Sequence, residues 1–140
     1  MGVNVILLAI PSIPPSVNRI WRRNPRGGMY LSKEAVDFNR LLAASVARTR
    51  VPKEWNFYSV EITLEPSRCV GDVDNYIKAT LDGLTKAGFW SDDSRVARVS
   101  CEFGEIRKKN PRTLVRVSEV FKKFGSKKKT LLEFFDSGAG

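Results

Sequence analysis

Residues 71–96 read GDVDNYIKATLDGLTKAGFWSDDSRV and hold five of the seven Asp in the chain, Asp72, Asp74, Asp82, Asp92 and Asp93. Carboxylates do chemistry by moving protons or by holding a cation. Asp72 and Asp74 are two residues apart where the chain enters a predicted helix. If that segment is extended, both side chains point to one face, with Cα atoms about 7 Å apart, near enough to converge on a metal ion. Without a cation they repel. A helix cap, worth about 1 kcal/mol, accounts for one Asp at this place but not for two. Lys78 follows Asp74 by four residues and precedes Asp82 by four, so the three form one polar stripe. Asp82 reads as a solvated i,i+4 partner worth about 0.3 to 0.5 kcal/mol. Asp92 and Asp93 fall in a loop between helix and strand, where turns favour acids in any case. A strand antiparallel or adjacent to the preceding one is expected to bring that loop back beside Asp72 and Asp74.

The acid sits in a basic chain. Twenty-four Lys and Arg against fifteen acids give a formal net charge of +9 over 140 residues, a balance that suits a polyanionic partner. There is no His, which removes Ser-His-Asp and Cys-His chemistry and the commonest general base. Catalysis is left to carboxylates, Lys or a metal. A phosphodiester repels bare carboxylates, whereas carboxylate-bound Mg²⁺ neutralises the phosphate, activates water and stabilises the leaving oxygen. Acid for the ion, with Lys and Arg for the surrounding phosphates, is what a metal-dependent nuclease needs. Cys69 and Cys101 lack CxxC spacing and read as small hydrophobes.

The elements that must position these residues follow from periodicity. Val3 to Ile10 reads as a buried strand, and Pro11, Pro14 and Pro15 then force an irregular basic loop carrying Asn18, Arg19, Arg22, Arg23 and Arg26. Ser32 is the expected N-cap of a helix from about Lys33 to Arg48, with Ala35, Phe38, Leu42 and Val46 along one face. Val60, Ile62 and Leu64 alternate with polar residues as a half-buried strand. A second helix is predicted over about Asn75 to Ala87, burying Ile77, Leu81 and Leu84 and stopping at Gly88. Ala97 to Phe103 and Leu114 to Val120 complete the strands, separated by a turn at Lys109, Asn110 and Pro111. The expected fold is α/β (α+β): a single domain, residues 1–121, with a mixed β-sheet and two main helices in βαβαββ order. Residues 122–140 read as a flexible basic C-terminal tail. No apolar run is long enough to span a bilayer and no signal peptide is evident, so a cytoplasmic protein is expected, with no membrane partner.

Together these residues resemble the RusA-like Holliday junction resolvases of bacteria, phages and prophages. The resemblance rests on Asp72, Asp74, Asn75 and Lys78, the run from Leu84 to Trp90, and the pair Asp92 and Asp93. A second match, PPSVNRIWR followed by Tyr30 and Ser32, is similar to the family's Pro-Pro-Ser-x-Asn loop. It implies catalytic, metal-binding roles for Asp72, Asp74 and Asp93, with Lys78 contacting phosphate or the transition state. It further implies Mg²⁺ or Mn²⁺ as cofactor, and a homodimer that nicks symmetry-related strands of a four-way junction. Asn18 either closes a turn beside the prolines or orients a phosphate, and Arg68 is either a DNA contact or a plain surface arginine. Arg19, Arg22 and Arg23 join them as candidate DNA contacts. Phe89 and Trp90 are read as hydrophobic anchors for the Asp93 loop.

The tail departs from that pattern. Its KKTLLEFF resembles the PCNA-interacting peptide of replication proteins and, loosely, the bacterial clamp-binding pentapeptide, with Leu131, Phe134 and Phe135 at the hydrophobic positions and Lys128 in place of the usual Gln. A sliding clamp is one candidate partner; a short helix packed on its own domain is the competing reading. Other functions remain: a less selective branched-DNA or flap nuclease with the same site, or a junction-binding protein without activity. A nucleotide-sugar transferase with an Asp-x-Asp fits poorly, since no glycine-rich turn follows the first strand.

Overall fold

A computed structural model describes residues 4–49 and 55–124 of the chain. The tail positions Leu131, Phe134 and Phe135 lie outside the described residues. Strand β1 (Val5–Ile10) turns Ile6, Leu8 and Ile10 inward and Val5, Leu7 and Ala9 outward, the alternation of a sheet buried on one face. Strands β4 (Phe57–Glu65), β5 (Val96–Phe103) and β6 (Arg112–Val120) share its sheet in the spatial order β1-β6-β4-β5. The pairs β1–β6 and β6–β4 are antiparallel, and β4–β5 is parallel.

The stretch after Pro11, expected to be irregular, carries a short antiparallel hairpin of β2 (Trp21–Arg23) and β3 (Met29–Leu31). Its residues are almost all exposed, so no hydrophobic alternation marks it in the sequence. Its turn signals are Asn24-Pro25 and the Gly27-Gly28 pair.

Helix α1 (Lys33–Ala47) starts where its cap is supplied: the Ser32 hydroxyl accepts the Ala35 N–H at 3.1 Å. Ala35, Phe38, Leu42 and Val46 form its buried stripe, as the spacing predicts. Helix α2 (Ile77–Lys86) ends in a Schellman turn. The Phe89 N–H bonds to the Leu84 carbonyl at 3.0 Å and the Gly88 N–H to that of Thr85 at 3.1 Å, with Gly88 at φ +79°. Its buried face differs from the expected one. Ala79, Thr80, Gly83 and Leu84 are buried, while Ile77 and Leu81 are only half-buried. The reason is the neighbour: a Cβ on Gly83 would stand 2.9 Å from Leu42 Cδ1, so small residues must face α1 for the helices to approach. Both helices cover the same face of the sheet, over a core of Phe38, Leu42, Val60, Ile62, Leu64, Leu84, Val115 and Val117.

No helix among the described residues is long and apolar enough to cross a membrane.

Candidate active site

The acidic segment leaves the C-terminal end of β4. The Arg107 N–H donates to the Pro66 carbonyl at 2.7 Å, and the Tyr76 ring meets Phe103, the last residue of β5, edge to face at 6.4 Å. These contacts hold a 3-10 turn, Val73–Tyr76, at the C-terminal ends of both parallel strands, where open α/β sheets keep their crevice. Asp72 is extended, at φ −74° and ψ 143°, and its side chain makes no cap hydrogen bond. Helix α2, capped by Tyr76, has no side-chain cap either. Capping therefore does not explain the acids. The extended geometry expected across Asp72 and Asp74 holds only for Asp72, because Asp74 is already inside the turn that tightens into α2. Both are exposed.

Beside them opens a cleft of about 410 Å³, walled by Pro14, Pro15, Ser16 and Arg19 on one side and by Arg68, Cys69, Gly71, Asn75 and Tyr76 on the other. Two predicted DNA contacts, Arg19 and Arg68, are thus brought together although 49 positions apart in the chain. Asn75, one of the residues that carry the family resemblance, lines the same cleft. Asn18 is exposed in the 3-10 turn Val17–Arg19. Arg22 and Arg23 are exposed on β2, with Arg22 Nη2 3.8 Å from Glu34 Oε1. Lys78 points to solvent from the first turn of α2 and pairs with Asp82 at 3.7 Å, the solvated i,i+4 contact the spacing predicts.

Asp93 is positioned at the opposite end of the sheet. Phe89 and Trp90 pack on Tyr58, at the start of β4, with ring centroids 6.0 and 5.1 Å away. Arg95 Nη1 donates to the Asn56 carbonyl at 3.1 Å. These two aromatics anchor the loop as expected, but at the N-terminal end of β4. Asp92 caps the 3-10 turn Asp93–Arg95 by accepting the Ser94 N–H at 2.9 Å, and that bond is the first cause holding its carboxyl below the ordinary range. Asp92 is thereby a structural cap. Asp93 borders a second cleft, about 260 Å³, with Trp21, Asp82, Thr85 and Lys86. Trp21 is a large exposed aromatic in that wall which the residue-type reading did not single out.

The expectation that β5 would return the Asp93 loop to Asp72 and Asp74 is overturned by strand direction. Because β5 runs parallel to β4, both strands begin at one end, and α2 carries the chain there from the other. Among the described residues no three acidic or thiol side chains lie close enough to hold a metal ion. One chain by itself does not fit the expected metal with Asp72, Asp74 and Asp93. Burial pushes the Cys101 thiol up to about 11, in keeping with a small hydrophobic side chain rather than a reactive thiolate.

Comparison with known proteins bears on this site. A family model described as Endodeoxyribonuclease RusA matches residues 11–118. The chain is 41% identical over 86 residues to the Crossover junction endodeoxyribonuclease RusA of Escherichia coli O139:H28 (strain E24377A / ETEC), covering 59% of this chain and 70% of that protein. Over the same length and coverage it is 40% identical to the protein of that name from Escherichia coli (strain K12) and 38% identical to that of Enterobacteria phage 82.

Proposed function

Because this chain belongs to the RusA endodeoxyribonuclease family, we propose that it is a DNA endonuclease that resolves four-way (Holliday) junctions by paired nicks in opposing strands, serving recombination and repair. The observation that carries the reading is the cleft that sets Arg19, Arg68 and Asn75 against the Asp72–Asp74 segment, in a chain of net charge +9. Phosphate needs fixed positive charge and hydrogen-bond donors, and the cleft supplies both. Asn18, Arg22 and Arg23, exposed on the neighbouring loop and hairpin, take flanking phosphates. Lys78, exposed in the first turn of α2, is the proposed group that stabilises charge on the phosphate in the transition state.

Mg²⁺ or Mn²⁺ is the proposed cofactor and a homodimer the proposed assembly, since two symmetric cuts suit a two-fold enzyme. The tail residues Leu131, Phe134 and Phe135 are proposed to bind a sliding clamp, which capture on immobilised clamp by the full chain and its Phe134→Ala, Phe135→Ala variant tests.

The deciding experiment for the activity is cleavage of a fixed four-way junction, a flap and a linear duplex side by side, with and without Mg²⁺. Symmetric, Mg²⁺-dependent nicking of the junction alone is expected. Equal cutting of flap and junction replaces the reading with a less selective branched-DNA nuclease, and binding without cutting replaces it with a junction-binding protein.

A further inference from the structure

Of the three Trp in the chain, Trp55 and Trp90 are each 5% exposed, whereas Trp21 is 47% exposed. An indole gains by leaving water, and the fold leaves this one half solvated. Met29 and Tyr30 on the same hairpin are exposed as well, which makes a patch rather than a stray side chain. The mounting is firm. Ile20, the residue before Trp21, is buried with Ala35 of α1 and Ala79 of α2, and its carbonyl accepts the Ser32 N–H at 2.9 Å. The hairpin register sets Trp21 opposite Leu31 and Arg23 opposite Met29. Positions two apart on a strand share a face, so these four lie together, with Arg22 and Tyr30 on the other side. Arg22 is engaged there by Glu34. The Trp21 face thus combines a flat ring, a thioether and the guanidinium of Arg23.

Trp21 also walls the cleft of about 260 Å³, together with Ile20, Leu31 and Ala79, and Asp82 and Asp93 outnumber Lys86 among the charged residues there. Clefts for drug-sized ligands run from about 300 to 1,000 Å³, so this one has room for a single ring system. Two carboxylates turn a phosphate away. The part of a nucleotide suited to the cleft is its uncharged base, while Arg23 on the same hairpin face meets the phosphate outside.

We propose that Trp21 is a stacking platform for an unstacked nucleobase of branched DNA, and that it gives the chain its preference for branch points over duplex. This rests on the nuclease reading for the identity of the polymer and on the exposed hairpin for its geometry. In a duplex every base lies between its neighbours, and swinging one out costs least where pairing or stacking is already broken. Every base has a flat face, so stacking on an aromatic is tolerant of sequence. Arg19 and Arg68 grip phosphates that any DNA presents; Trp21 selects for structure.

The test is binding of the full chain, without divalent metal so that nothing is cut, to a fixed four-way junction and to a duplex of equal length. Trp21→Ala should weaken junction binding by about 10-fold and change duplex binding by less than about twofold, and Trp21→Phe should recover most of the loss. Because Trp55 and Trp90 are buried, acrylamide quenching of tryptophan emission reads Trp21 in the wild-type chain. The junction should shield it and the duplex should not. Equal losses on both DNAs, or no loss on the junction, overturn the proposal, as does a Trp21 that stays open to acrylamide on the junction. A Trp21→Ala chain that sediments at a different mass from wild type overturns it too, since the ring then belongs to a contact between copies of the chain. If the junction alone shields Trp21 but the wild type cuts no junction once Mg²⁺ is supplied, the stacking platform stands and the nuclease reading falls.

Discussion

The indole N–H of Trp90 donates to the Thr85 hydroxyl at 2.7 Å, joining the loop that carries Asp93 to the last turn of α2. Trp90 is 5% exposed, so its one polar atom depends on that acceptor. Thr85→Val keeps the shape and removes the oxygen, which should cost about 1 to 3 kcal/mol. The melting temperature should fall by roughly 3 to 10 °C, cleavage should fall with it, and Thr85→Ser should restore both. An unchanged melting temperature would show that the bond holds nothing.

Gly83→Ala opposes helix propensity to packing. Alanine is better in a helix by about 1 kcal/mol, but its Cβ would lie 2.9 Å from Leu42 Cδ1 and 3.1 Å from Asn39 Oδ1. Leu42 is fully buried and has little room to retreat. Overpacking of this kind costs about 1 to 3 kcal/mol, so urea unfolding should find the variant less stable. A gain in stability would mean that α1 and α2 separate easily.

Glu65, nearly buried at the end of β4, accepts a hydrogen bond from Arg112 Nε, with Arg107 3.7 Å away. The Arg112 hydrogen bond is the first cause holding its carboxyl below the ordinary value of 4.5. A depressed folded value means that the unfolded chain binds the proton more readily. The stabilisation is therefore complete above pH 4.5 and is lost as pH falls through the lower folded value. Glu65→Gln should be less stable than wild type at neutral pH, and the gap should close on acidification below pH 4.5. Melting curves across that range check it, and a gap independent of pH would be incompatible with the ion pair as its source.

The cleft and the acids should separate binding from turnover. Arg19→Ala and Arg68→Ala should weaken junction binding and each lower the salt slope by about one if each meets a phosphate. Asp72→Asn should abolish cleavage while binding persists or tightens, because a charge that repels phosphate is gone. Lys78→Ala should reduce turnover more than affinity. Binding isotherms at several salt concentrations, alongside single-turnover rates, distinguish these outcomes. Cleavage at the wild-type rate by Asp72→Asn would remove it from the site.

What the sequence by itself determined is what depends on near neighbours along the chain. Ser32 caps α1 through a bond to a residue three positions on, and Gly88 and Phe89 close α2 through bonds to carbonyls three and five residues back. The alternation of Ile6, Leu8 and Ile10, and of Val60, Ile62 and Leu64, assigns each strand a buried face without reference to any partner. The acidic segment and the basic loop were likewise legible as chemistry. Tertiary structure alone decided which strand edges meet, in which direction, and which face α2 offers to α1. A period of two marks a face but carries no information on pairing or direction, so β5 was free on sequence grounds to run either way beside β4. Its parallel course, with α2 returning the chain, sends Asp93 to the far end of the sheet from Asp72 and Asp74. The same three-dimensional packing drew Arg19 and Arg68 into one cleft, through contacts that no local spacing records.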